Sequence, residues 1–459
     1  MLMDFLTVFL LILFPVISTC FLVLGTNSWY KRSSTKLPPG PFPIPFIGNL
    51  LQVGQNPHRS LAKLSKTYGP LMHLKLGSIH TIVVSSPEIA KEVLTKHDQA
   101  CSGRAVPSAA HAMDHHKSSI PWLPVATRWR ALRKIMKEQV SLMHQFDGNN
   151  SLVQLHNYLQ DCSNSDRVVD IREIGFKTAL NLLSSTLFSI DFAHFDSSLT
   201  REMMENVHAL IKNLGTPNLV DYFPLLKFID PQGLVRKTEA SLRRLHEIFG
   251  ETLNPRLQSR GTLRKKDMLE ALLDLNQENE SDFSLNDIKH LMLDLNVIGA
   301  YEITNAVQWT MTEVLRNPEK MSKAKLELRT IIGENKQIKE SDISRLPYLN
   351  AVIKENFRCH PVLPLLIPHK VEVDIEIQNY TVPKNAQILV NVWAIGRDSS
   401  IWSNPDSFEP ERFLDCKIDY RGQDFELITF SSGRRMCPAL PLAHVVVHLI
   451  LATLIHNFD

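Results

Sequence analysis

The chain has 459 residues, 44% of them apolar, and its 50 basic and 48 acidic residues leave a formal charge of only +2. Such a balance provides no electrostatic footprint for a nucleic-acid partner. Six cysteines, Cys20, Cys101, Cys162, Cys359, Cys416 and Cys437, show neither C-x-x-C pairs nor even spacing, which excludes a disulfide or zinc framework and fits a reducing compartment.

The amino terminus differs in kind from the rest. Residues 5–30 carry no charge, and 5–25 are almost wholly apolar. At about 1.5 Å per residue, that stretch is long enough to cross a hydrocarbon core of roughly 30 Å. A signal peptide has an apolar core of only about 7–15 residues, so the segment reads as one retained transmembrane helix. Lys31, Arg32 and Lys36 follow it and Asp4 precedes it, which places the remaining chain in the cytoplasm. Residues 1–30 are therefore expected to form a membrane anchor and 31–57 a basic stop and hinge. Within the hinge, Leu37-Pro38-Pro39-Gly40-Pro41-Phe42-Pro43 fixes φ and removes backbone donors at successive prolines, giving a stiff extended spacer.

From residue 58 to 459 the apolar pattern is dominantly helical. Helices are expected over 241–253, 287–315, 320–332 and 442–458, and strand hairpins over 74–84 and 371–382. The charged stretch 264–282 reads as a solvated loop flanking a helix. No internal repeat occurs, so the expected body is a single mainly α domain with small β-sheets.

Two constellations in this body carry chemistry. Glu355 and Arg358 stand three apart on a predicted helix, and Phe408-Glu409-Pro410-Glu411-Arg412-Phe413 brings a second arginine on a proline-stiffened turn. One carboxylate between two guanidiniums makes a charge-assisted network, read here as structural scaffolding. Further on, Phe430-Ser431-Ser432-Gly433-Arg434-Arg435-Met436-Cys437-Pro438-Ala439 delivers a cysteine to the start of an apolar helix. The positive helix end favours a thiolate, and a thiolate is the axial ligand that pushes electron density onto haem iron to favour O–O cleavage.

Taken in order, the proline-rich hinge, Trp129-Arg130-Ala131-Leu132-Arg133, Glu355-Asn356-Phe357-Arg358, Pro410-Glu411-Arg412-Phe413 and the Cys437 loop resemble a membrane-bound cytochrome P450 over essentially the whole chain. The segments His97-Asp98-Gln99-Ala100-Cys101-Ser102-Gly103-Arg104, Asp221-Tyr222-Phe223-Pro224 and Trp393-Ala394-Ile395-Gly396-Arg397-Asp398 are similar to plant terpenoid hydroxylases of the geraniol 8-hydroxylase type. The resemblance implies a single-domain haem-thiolate fold with Cys437 as iron ligand and Phe430 packed beside its sulfur. It implies Trp129, Arg133, His369 and Arg435 as partners of the haem propionates. It further implies hydroxylation of a small lipophilic substrate, a terpenoid such as a monoterpenol, at the endoplasmic-reticulum membrane. Electrons would come from an NADPH-dependent cytochrome P450 reductase, since the chain has no G-x-G-x-x-G nicotinamide fingerprint.

Three departures from the family stand out. Its oxygen-binding helix carries a small residue, glycine, any residue, an acid and then threonine. Aligned through Trp309, this chain reads Ile298-Gly299-Ala300-Tyr301-Glu302-Ile303, with tyrosine for the acid and glutamate for the threonine. A slip of one position instead aligns Glu302 with the acid and Thr304 with the second hydroxyl residue. Loss of the acid–alcohol pair would slow proton delivery and leak peroxide. Next, Ala439 replaces the glycine two places after the cysteine, and the sequence stops at Asp459 where relatives continue with a strand pair lining the pocket. These departures keep two other readings open: a haem-binding protein with impaired or no monooxygenase activity, and an enzyme rearranging hydroperoxides. Residues 101–119, 210–216, 298–302 and 362–367 are the expected pocket lining.

Overall fold

A computed structural model of the chain describes residues 36–142, 149–192, 198–259, 265, 267–277, 283–334 and 336–457. The expected anchor, residues 1–30, lies outside them. Helices dominate, as the periodicity predicts. Leu285–Met292, Leu293–Ile298 and Gly299–Arg316 run on as one central helix, 285–316. Ser284 starts it with a capping box closed by Asp287, satisfying amide donors that the first turn leaves unpaired. Its middle segment, Leu293–Ile298, is wound as π turns, a local widening common at functional sites. Helices Ile171–Phe188 and Leu440–Asn457 pack against the central helix. Leu440–Asn457 is long and apolar enough to cross a membrane, yet most of its residues are buried in the main core. It is a core helix, apolar all round because it is covered all round.

Among the described residues the strands form one five-stranded and one two-stranded sheet. In chain order β1 is Leu71–Leu76, β2 Ile79–Val84, β3 Gly103–Arg104, β4 His369–Lys370, β5 Ile375–Ile377, β6 Tyr380–Val382 and β7 Gln387–Val390. The larger sheet has the order β1-β2-β7-β4-β3, with only the β2–β7 pair parallel, and β5 pairs with β6. Pairing of β3 with β4 sets Arg104 directly opposite His369, a juxtaposition across more than 260 residues that no local pattern announces.

One expectation fails. Residues 264–282 are not simply a loop, because Met268–Gln277 is a helix that buries Met268, Leu269, Leu272 and Leu273. Its acidic composition hid an i, i+1, i+4, i+5 apolar face. The proline-rich hinge, by contrast, is docked along its described part. Asn49 donates to the carbonyls of Pro41 and Phe42 at 3.3 and 3.2 Å, and its side-chain oxygen accepts from the Lys75 amide of β1 at 2.8 Å.

Glu355 sits at the centre of a buried polar network. Helix Pro347–Cys359 buries nearly every residue, and Arg358 grips Glu355 through two hydrogen bonds of 2.7 Å. Arg412 reaches the same carboxylate at 3.1 Å, and the Glu409 amide donates to it at 2.7 Å. Arg358 also donates to the carbonyls of Gly396, Pro405 and Ser407 at 2.6, 2.6 and 2.9 Å. Both side chains of the Glu355–Arg358 pair are fully buried. Removing one partner from such a pair typically costs about 3–5 kcal/mol, because the survivor is left buried and uncompensated. Glu355→Ala and Arg358→Ala should therefore give protein that fails to accumulate in folded form, measured by yield and thermal melting. Stable variants whose defect is confined to turnover would make the network catalytic instead of structural.

Candidate functional site

The loop before helix Leu440–Asn457 folds back on itself. The Cys437 amide donates to the Phe430 carbonyl at 3.0 Å, closing a turn in which Ser431 and Gly433 both take positive φ, 63° and 65°. A Cβ at Gly433 would sit 2.2 Å from the Leu94 carbonyl oxygen, so this position has neither the backbone freedom nor the room for a side chain. The Cys437 sulfur then accepts from the amides of Ala439 and Leu440 at the helix start. Burial pushes its thiol pKa up, while those two amides and the Arg133 guanidinium pull it down. Thiolate formation here depends on positive charge brought close in a dry site.

The sulfur belongs to an interior surface. Met436, Cys437, Pro438 and Ala439 all retain some open surface although protein surrounds them, as do Ile298, Gly299 and Glu302 on the central helix. These two strips face each other across one cavity, near enough that the Glu302 carboxyl adds to the upward push on the Cys437 thiol. Phe430 stacks edge-on to Phe357 at 5.2 Å, and the Thr429 hydroxyl donates to the Phe357 carbonyl at 3.2 Å. Through Phe357 the cysteine loop rests on the helix that carries Glu355 and Arg358.

Around the rim the structure gathers cations. Arg133 donates to the Met436 carbonyl at 2.7 Å, and the Trp129 ring lies near both the Arg133 and Arg435 guanidiniums, at 5.2 and 5.3 Å. Arg435 uses Nε on Ser102 and Nη2 on Leu123, at 2.8 and 2.7 Å, yet its buried Nη1 has no partner. His369 donates through Nδ1 to the Cys101 carbonyl, 2.8 Å away, and its buried Nε2 is likewise unpartnered. Burial and the neighbouring Arg104 hold the His369 pKa down at about 3. Burial, then repulsion from Arg133, lowers Arg435 to about 10, and burial with Arg435 nearby lowers Arg104 to about 9. Arg104, Arg133 and Arg435, with no ion pair among the described residues, and the orphaned Nη1 of Arg435 suit a doubly anionic group, whose charge would also favour protonation of His369 Nε2. The donor set fits a haem: Arg104, Arg133, His369 and Arg435 would hold its propionates, and Cys437 would supply the thiolate to its iron.

Of the residues singled out from sequence, Trp129, Arg133, Arg435, Phe430 and Cys437 converge on one site, with His369 at its edge and Glu302 opposite. Thr304 does not face the cavity. Its hydroxyl donates to the Ala300 carbonyl at 2.6 Å and its methyl points toward Gly175 of helix Ile171–Phe188. Tyr301 also turns away, its hydroxyl 2.8 Å from His208 Nδ1. Burial alone pushes the Glu302 carboxyl up to about 7.

Sequence reasoning missed Arg104, which only the β3–β4 pairing places beside His369. It also missed Asp294, a buried carboxyl pushed up to about 7 that accepts from the Ser119 hydroxyl and the Ile120 amide, each at 3.0 Å. An acid set among apolar residues of a predicted core helix was a visible signal. Asp294 clamps the segment before Trp129 onto the π-wound part of the central helix.

Comparisons with known proteins identify the family. Residues 38–459 match the family described as Cytochrome P450. The chain is 53% identical over 440 residues to "Cytochrome P450 76T24" of Catharanthus roseus, covering 94% of this chain and 88% of that protein. It is 48% identical over 456 residues to a ferruginol synthase of Isodon rubescens, covering 97% and 91%. A zebrafish cytochrome P450 solved with progesterone superposes with a TM-score of 0.74 at 23% identity, covering 87% of this chain and 92% of the other.

Substitution of the two unpartnered side chains supplies a test of the rim. His369→Ala and Arg435→Ala should each yield folded protein with reduced haem content, read from the ratio of haem absorbance to protein. Unchanged haem occupancy in the double variant would remove these residues from the site.

Proposed function

The chain belongs to the cytochrome P450 family and is a haem-thiolate monooxygenase, and on that premise we propose that it hydroxylates a small lipophilic terpenoid with Cys437 as the axial ligand. The observation that carries the proposal is the Cys437 sulfur, held by two helix-terminal amides opposite the Glu302 carboxyl across an enclosed cavity. Bound haem supplies the activation of dioxygen and its insertion into a C–H bond, with electrons from an NADPH-dependent reductase. Terpenoid chemistry is suggested by relatives named ferruginol synthase and sugiol synthase, 46–49% identical to the chain.

The protein's own task at the distal side is to exclude water and move protons. We assign proton handling to Glu302, since a carboxyl whose pKa lies near neutrality is suited to both give and take a proton. Thr304 and Tyr301, engaged elsewhere, serve the packing of the central helix. This is a thin relay compared with an acid–alcohol pair, and a hydroperoxide-rearranging activity, which needs no such relay, is the second reading it favours. Proton transfer by a positioned group contributes about 10²–10⁴ in rate. NADPH should accordingly be consumed in excess of product, and the double change Tyr301→Asp with Glu302→Thr should raise product formed per NADPH. Tight coupling in the unchanged protein would refute the thin relay and make Glu302 sufficient for proton delivery.

We place the enzyme at the endoplasmic-reticulum membrane, with residues 1–30 as anchor, 31–57 as hinge and 58–459 as a cytosolic catalytic domain. Supporting this is an apolar corner where the hinge and the loop 219–229 meet at the β1–β2 hairpin. The Gly77 and Ser78 amides donate to the carbonyls of Ile47 and Tyr222 at 3.2 and 3.0 Å. Around that junction Phe42, Leu51, Leu225, Phe228 and Ile229 are exposed, Leu225 by 88% and Phe228 by 94%, more apolar surface than a water-facing loop needs. Protein lacking residues 1–30 should still sediment in part with liposomes, and Leu225→Ser with Phe228→Ser in that background should release it. A truncated protein that is fully soluble at the outset would argue against the second contact.

A further inference from the structure

Resting on the monooxygenase reading above, we propose that Tyr420 and His444 form a redox-protective pair: Tyr420 gives an electron to discharge an oxidising equivalent stranded on the bound haem, and His444 takes the phenolic proton. The two residues come from separate segments. Tyr420 lies in the irregular stretch before the cysteine loop, and His444 lies on helix Leu440–Asn457, into which that loop leads. The Tyr420 hydroxyl donates to His444 Nδ1. Tyr420 is only 1% exposed, and its ring packs against Phe357 and Phe430 with centroids 4.9 and 5.6 Å away. Phe430 in turn accepts from the Cys437 amide at 3.0 Å through its carbonyl. A continuous series of contacts thus leads from the phenol to the residue assigned as iron ligand.

Burial decides how this phenol can lose an electron. A phenolate and a phenol cation radical would each be an uncompensated charge in a dry site, so the electron and the proton must leave together. Such a transfer needs a neutral base already within hydrogen-bond reach. His444 is that base, since burial and then Arg421 hold it below its ordinary range while burial pushes the Tyr420 phenol up.

Rival side chains are poorer donors. Trp129 lies near the Arg133 and Arg435 guanidiniums, and Trp402 near those of Arg358 and Arg412. Positive charge beside a ring opposes removal of its electron. The Tyr420 ring has two phenyl rings and an imidazole for neighbours. Tyr301, also bonded to a histidine, turns away from the cavity.

In each discharge the haem gains one electron, the Tyr420 O–H bond breaks, its proton passes to His444 Nδ1 and a neutral phenoxyl radical remains. An electron from a small thiol-class reductant, with the proton returned by His444, restores the phenol. The oxidant is hydrogen peroxide, which the excess NADPH consumption expected above would generate. Its reduction to water at the haem leaves two oxidising equivalents there, removed by two such discharges.

The test mixes ferric, haem-loaded full-length protein with hydrogen peroxide in the absence of substrate, freezes it rapidly and records the electron paramagnetic resonance spectrum. A tyrosyl signal, identified by its change when tyrosine is ring-deuterated, is expected in wild type and in Tyr301→Phe and should be lost in Tyr420→Phe. His444→Gln, which keeps an acceptor but no basic nitrogen, should lose it too, and carries the test should Tyr420→Phe not retain haem. In both variants the haem should bleach faster under peroxide at an unchanged melting temperature. A wild type without the signal, a signal that survives either substitution, or one that only Tyr301→Phe removes overturns the proposal. So do variants that melt earlier while radical yield and bleaching stay as in wild type, the mark of a purely structural pair. Thiolate-ligated protein, shown by its carbon monoxide difference band, that forms no tyrosyl radical sinks this proposal alone. Absence of that band sinks the monooxygenase reading and the proposal with it.

Discussion

Glu355 is a carboxylate with no access to water, and much of the chain between Gly396 and Arg412 is arranged around it. Neutralising it takes two guanidiniums and a backbone amide. Those guanidiniums then fasten the carbonyls of Ser403, Gly396, Pro405 and Ser407. A segment with little regular structure is thereby given one conformation by electrostatics instead of by strand pairing or helical periodicity. The same helix supplies Phe357 to the cysteine loop and Asn356 to the Ala306 carbonyl of the central helix, at 3.2 Å. The geometry at Cys437 is thus referenced to a site of very low compliance, since a buried ion network has few alternative arrangements of comparable energy.

The central helix shows the opposite strategy. Its π-wound turns and the neighbouring glycine loosen the regular hydrogen-bond ladder at the level of the cavity, and polar side chains stabilise the distortion from outside. Asp294 is engaged by Ser119 and Ile120, while His115 and His290 face each other through Nδ1 atoms 2.9 Å apart. These contacts draw the segment preceding Trp129 onto the helix. The position of Trp129 and of the guanidiniums beside it consequently depends on groups well away from them.

Much of this was legible in the sequence because it is carried by short motifs with local geometry. The cysteine loop announces a tight turn followed by a helix start, and Glu355 with Arg358 announces a shared helix face. Trp129 and Arg133 likewise fall one turn apart. What local pattern could not convey is which way a residue faces on a helix that is covered on most sides. Tyr301, Glu302 and Thr304 are near neighbours, yet one meets a second helix, one meets the cavity and one meets its own backbone. Arg104 was invisible for a different reason, since its role arises from pairing with a strand more than 260 residues away. The helix Met268–Gln277 was obscured by flanking charge, which masked a short apolar face.

The bond between Tyr301 and His208 bears on how fast ligands come and go. It joins the central helix to helix Ser198–Gly215 at a point beside Glu302. Any outward swing of Ser198–Gly215 must first exchange that contact for water. A net hydrogen bond of this kind is worth about 0.5–1.5 kcal/mol. On an opening barrier, that corresponds to roughly a two- to tenfold change in rate. Tyr301 thereby ties helix Ser198–Gly215 to the central helix at the level of Glu302.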